Sequence, residues 1–164
     1  LGIDVGEIAQ YFDSMSICLS KGLGAPVGSV LCGSRAFIHE GRRWRKMLGG
    51  GMRQAGIIAA GAVYALDHNI ERLAEDHQHA RVLADIVRAT PGLKLDPDVV
   101  DTNIVIFDIV DQRRTPPDIL SALKEQGVLI NAIGGTRYRA VTHLNISSKQ
   151  IDEAGAAFAR VLSD

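Results

Sequence analysis

SICLSKGLGAPVGSVLCGS, residues 16–34, decides how this chain is read. One lysine, Lys21, stands between an apolar run and a glycine-rich run holding Gly22, Gly24, Pro26 and Gly28. Residues 15–19 read as a short buried strand, residues 21–28 as a loop, and residues 29–32 as a second strand. Two phosphate-binding motifs are excluded. The spacing is G-x-G-x-x-x-G rather than G-x-G-x-x-G, Pro26 lacks an N–H, and the following segment reads as a strand. The glycines follow the lysine, which also rules out a P-loop.

Working outward, residues 5–12 look like a helical turn. Ser34 is a suitable N-cap for a helix through AFIHEGRRWRKML, which Gly49, Gly50 and Gly51 break. MRQAGIIAAGAVYALDHN follows as a long helix rich in small residues. It reads as buried and as a link between two lobes. Residues 70–89 carry apolar positions at helical spacing and end at Pro91-Gly92, as an amphipathic surface helix does. Short strands are expected near residues 93–95 and over NIVIFDIV. TPPDILSALKEQG reads as a helix with Thr115 as N-cap, prolines in its first turn and Gly127 beyond its end. VLINAI and RYRAVTHLNI read as strands, and SSKQIDEAGAAFARVLSD as a closing helix capped by Ser147 or Ser148. From residue 72 onward the layout is β-β-α-β-β-α, a small α+β sheet with helices on one face.

The chain has 164 residues, 46% hydrophobic and 23% charged, with a net charge of −1. That balance suits a folded core and offers no basic surplus for nucleic acid or an anionic membrane. No apolar run approaches the ~20 residues of a membrane span. No signal peptide is visible, so the cytoplasm is the expected setting. Cys18 and Cys32 read as buried free thiols. His77 and His79 sit at i, i+2 on a helix and point to different faces, which argues against a metal site. Leu1 enters as if partway through a fold, and the expectation is a C-terminal part of something longer.

The lysine remains to be explained. An ordinary surface lysine is the bland alternative. At the end of a buried strand, however, the amine is withdrawn from water, and desolvation favours its neutral, nucleophilic form. A Schiff base is the chemistry that asks for such an amine, and pyridoxal phosphate (PLP) is the cofactor that most often uses it.

The segment closely resembles the cofactor-lysine segment of low-specificity L-threonine aldolases, PLP enzymes of the aspartate-aminotransferase-like class, fold type I. The resemblance continues through RRWRKMLGGGMRQAGIIAAGAVYAL, TNIVIF and GVLINAIGGTRYRAVTHLNIS, in order. It implies an α/β fold. Residues 1–52 would be the C-terminal remnant of the large PLP-binding domain, residues 53–71 a linking helix, and residues 72–164 a small α+β domain. It implies that Lys21 carries PLP and that Arg139 grips the substrate's α-carboxylate. A guanidinium does this through two parallel hydrogen bonds; the alternative is a solvated strand-edge arginine. Arg53 would line the cofactor site, or be a surface charge at a helix start. Lys46 would border the substrate pocket, or belong to one solvated face of RRWRK. Ser20 would sit beside the Schiff base and bond the phosphate.

The implied reaction is retro-aldol cleavage of L-threonine or L-allo-threonine to glycine and acetaldehyde, in an enzyme that assembles as a dimer or tetramer. The family's phosphate loop, ring-stacking histidine, pyridine-nitrogen aspartate and catalytic base lie in its N-terminal half. None is located in these residues, so the 164 residues alone are expected to be poor catalysts. Two other readings stand: another fold type I lyase, such as a β-eliminating one, and a non-catalytic remnant that only associates through the helix at residues 53–69.

Overall fold

A computed structural model describes residues 2–110 and 113–163. Leu1, Asp111, Gln112 and Asp164, the last of which ends the expected closing helix, lie outside the described residues. The elements run α1 (Val5–Ala9), β1 (Ser14–Cys18), β2 (Ser29–Gly33), α2 (Arg35–Met47), α3 (Gly56–His68), α4 (Leu73–Ala89), β3 (Leu93–Leu95), β4 (Ile104–Ile109), α5 (Pro116–Glu125), β5 (Asn131–Gly134), β6 (Arg137–Val141) and α6 (Ser148–Ser163). They divide into two compact units, Leu1–Glu71 and Arg72–Asp164. Among the described residues no helix is long and apolar enough to cross a membrane.

In the first unit β1 and β2 pair antiparallel, with Ser14 opposite Gly33 and Cys18 opposite Ser29. Ser34 caps α2 by accepting a 3.2 Å hydrogen bond from the Phe37 N–H at its Oγ. The glycines close α2: Gly49 takes a φ of +85° and Gly50 N–H donates to the Arg45 carbonyl at 2.8 Å. Burial is sparse. Leu19, Ala25 and Ala65 form the buried cluster. Several expectations change here. The strand around residue 17 is not buried, since Ile17 and Cys18 are exposed. Cys32 is half-buried, and both thiols are free but not enclosed. α3 buries only Ala65, and Ile57 on it is 81% exposed. α1 stops at Ala9, short of Phe12. The exposure of β1, Cys32 and α3 has a common cause: a two-stranded sheet offers too little surface to cover these faces.

The second unit is a four-stranded antiparallel sheet of order β3-β4-β6-β5. Strand alternation turns Val105, Phe107 and Ile109 inward and Ile104, Ile106 and Asp108 outward. α4 answers with Asp76, Ala80, Leu83, Ala84 and Val87 buried at helical spacing. α5 adds Ile119 and Leu123, and α6 adds Ile151, Ala157, Phe158 and Val161. Phe107 meets Phe158 edge-on, with ring centroids 5.6 Å apart, and stacks on Tyr138. All three helices share this cluster, leaving the opposite sheet face open. β5 begins later than VLINAI suggests and is irregular between Ala132 and Gly134. β6 ends at Val141, earlier than RYRAVTHLNI suggests; Thr142 just beyond it continues the inward alternation of Tyr138 and Ala140, its Oγ1 donating to the Asp76 carbonyl at 2.6 Å.

Candidate active-site residues

Lys21 lies on a loop whose backbone is tied to itself. Leu19 N–H donates to the Gly28 carbonyl at 3.1 Å, Ala25 N–H to that of Leu19 at 3.0 Å, and Gly24 N–H to that of Lys21 at 2.8 Å. Gly24 and Gly28 take φ values of +71° and +104°, a region other residues avoid. The loop rests on α3. Ala65 packs with Leu19 and Ala25. At Gly61 an added Cβ would lie 2.8 Å from Pro26 Cδ, so only glycine permits this approach. Asn69, at the end of α3, donates from Nδ2 to the Leu23 carbonyl at 2.7 Å. Sequence reasoning missed Asn69. The run of small residues in α3 was the only signal that a backbone would lie against it.

The Lys21 side chain is exposed, as is Ser20. This corrects the expectation of a desolvated amine, for the strand before it has no cover in this unit. What sets Lys21 apart is the hydrogen-bonded loop that carries it, not burial. Arg53 is exposed in the turn before α3, next to Gln54 with its φ of +51°. Lys46 is exposed on α2, with Gly51 folded against its stem. Among the described residues, the side chains of Lys21, Lys46, Arg53 and Arg139 make no hydrogen bond or ion pair with one another or with any other residue.

Arg139 projects from β6 on the open sheet face, opposite Asn131 of β5 and Ile106 of β4. β6 is an inner strand, so Arg139 is not the strand-edge arginine considered above. Two residues away, Arg137 is engaged: its Nη2 pairs with Asp96, and with Asp108 at 3.1 Å. The Arg137 hydrogen bond holds the Asp108 carboxyl below its ordinary range, against some opposition from burial. Asp108 in turn raises the Arg137 pKa. Elsewhere, hydrogen bonds from Thr115 lower the Asp118 pKa, and burial raises that of Tyr138.

An aldehyde cofactor bearing a phosphate needs an amine for the aldehyde and donors for the phosphate. Lys21 Nζ, the Ser20 hydroxyl and the Arg53 guanidinium are all of the required type and uncommitted, so the donor set fits. Among the described residues no group of three His, Cys, Asp or Glu could hold a metal ion. A cleft of about 790 Å³ between α4 and the start of α6 includes none of these candidates.

Residues 1–112 match the model of the beta-eliminating lyase family, and the chain belongs to that family. Within it, the chain is 45% identical over 157 residues to the low specificity L-threonine aldolase of Escherichia coli, covering 94% of this chain and 44% of that protein. It is 37% identical to low-specificity L-threonine aldolase 1 of Arabidopsis thaliana, covering 99% of this chain and 46% of that one. The chain thus spans about half the length of the curated relatives it matches. Among solved structures, a Listeria monocytogenes protein assigned as an L-allo-threonine aldolase superposes with a TM-score of 0.77 at 22% identity, over 94% of this chain and 46% of that one. A PLP-dependent aminotransferase from Streptococcus suis gives 0.74 at 14% identity, over 99% and 45%. Those likenesses show the fold: mixed α/β, a portion of the fold type I architecture of PLP-dependent enzymes.

Proposed function

We propose that this chain is part of a PLP-dependent threonine aldolase that cleaves L-threonine or L-allo-threonine to glycine and acetaldehyde. The observation that carries the reading is the 45% identity to an L-threonine aldolase across 94% of the chain. Bound PLP would supply an electron sink for the pair released as the Cα–Cβ bond breaks. Lys21 Nζ would hold the cofactor. Ser20 and Arg53 would donate to its phosphate. Arg139 would clamp the α-carboxylate by two parallel hydrogen bonds, setting the scissile bond perpendicular to the cofactor ring. Lys46 would border the substrate. The exposed apolar residues of α3, Ile57, Val63 and Tyr64 among them, support assembly into a dimer or tetramer. The two free thiols support a reducing, cytoplasmic setting.

The family match favours one second reading, β-elimination. Assaying the whole protein with L-threonine, L-allo-threonine and L-cysteine separates the two. Acetaldehyde and glycine are expected from the first two substrates, with loss of activity in Lys21→Ala. Pyruvate from cysteine without acetaldehyde from threonine would replace the aldolase reading. The 164 residues alone are expected to act at least ~100-fold more slowly, since no general base is assigned among them.

A further inference from the structure

The open face of the second unit's sheet holds two arginines in opposite circumstances. Lys94, Asp108 and Arg137 lie side by side across β3, β4 and β6. The next row holds Ile106, Arg139 and Asn131. The Arg137 guanidinium meets Asp108 on its neighbouring strand and Asp96 just beyond β3. Arg139, two residues on and about 6.6 Å along the same strand, has no such partner among the described residues. Three cations, Lys94, Arg137 and Arg139, face two carboxylates, leaving a surplus of one positive charge across these rows. Asp108 is the more enclosed clamp, with its side chain 18% exposed against 48% for Asp96. Thr136 adds a 3.2 Å hydrogen bond to Asp108, fixing the carboxylate that fixes Arg137.

Building on the reading of Arg139 as the carboxylate site, we propose that Asp108 and Asp96 determine specificity: by occupying Arg137 they leave one free guanidinium on this face, matched to a substrate with one carboxylate. A second carboxylate on a substrate finds no uncommitted guanidinium here. Released from its clamp, Arg137 would offer one beside Arg139, and dicarboxylic acids would bind across the pair. Asp108 and Asp96 touch no substrate in this scheme. They act through Arg137.

Acetate and succinate, titrated at fixed ionic strength into the ¹⁵N-labelled 164-residue chain, serve as probes, with arginine Nε–H resonances as the readout. In Asp96→Asn/Asp108→Asn the succinate-to-acetate affinity ratio is expected to rise roughly fivefold, as one added exposed charge contact allows. Adding Arg137→Gln should return the ratio to that of the parent. A general loss of structure would not move the ratio in this reversible way. An unchanged ratio in the double variant, with acetate still bound at Arg139, overturns the proposal. Should the double variant not fold, Asp108→Asn alone, which removes the more enclosed clamp, carries the test, with a rise of about twofold expected; no rise overturns it. Arg139→Gln tests the underlying site separately. Acetate-induced shifts that persist in that variant refute the carboxylate reading itself.

Discussion

Among the described residues, the Arg72–Asp164 unit gathers sixteen buried apolar side chains into one cluster, while Leu1–Glu71 gathers three. The first unit is not short of apolar residues. Ile57, Leu48, Tyr64, Met52 and Trp44 are all more than half exposed there. The difference is one of layers. The second unit lays three helices on one sheet face and closes its own core. The first has two strands and helices that mostly face outward, held at a few points such as Gly61 against Pro26. A unit of the second kind can carry a binding residue on its open face without loss of stability. A unit of the first kind presents Lys21 on an ordered loop but cannot shelter it unaided.

Hydrogen exchange should show the largest contrast. Amides of β4 and β6 are expected to exchange at least ~1000-fold more slowly than those of α3, because only the former open through loss of a whole core. Equal protection in the two would break the comparison. Next in size, Phe107→Ala should cost about 3–5 kcal/mol in urea unfolding of the second unit, as removal of a fully buried ring does. Leu48→Ala, at a side chain 82% exposed, should change stability by less than about 0.5 kcal/mol. Gly61→Ala sharpens the picture of the first unit. Its added methyl meets Pro26, and the expected cost is about 1–3 kcal/mol, with altered chemical shifts at Leu23 and Asn69.

The smallest effect is one of pH. Asp108 titrates below its ordinary value of 3.8 when folded, chiefly through its hydrogen bond from Arg137. Its contribution is therefore present above that value and is lost as pH falls through the lower, folded pKa. Asp108→Asn should be less stable than the parent at pH 6, with the gap closing on acidification below 3.8. A gap that widened in acid would contradict the assigned cause.

Much of the second unit was legible in its residues. NIVIFDIV alternates, α4 repeats at helical spacing, and Thr115 followed by two prolines marks a helix start, where the structure adds Thr115 Oγ1 donating to Asp118 Oδ2 at 2.5 Å. These signals are local, and the sheet then follows from pairing neighbours. Burial in the first unit was not legible. An apolar residue such as Ile57 shows that a surface wants cover, not whether this chain provides it. The Lys21 loop stood out because glycines and a proline leave few conformations. Its tether to Asn69 spans 46 positions and leaves no pattern in the sequence.

The most direct measurement is borohydride reduction of the whole protein after addition of PLP, followed by peptide mapping. The expected result is a phosphopyridoxyl group on Lys21 Nζ, absent in Lys21→Ala, with Lys46, Lys94, Lys124 and Lys149 unlabelled. Label on another lysine with Lys21 untouched would contradict it.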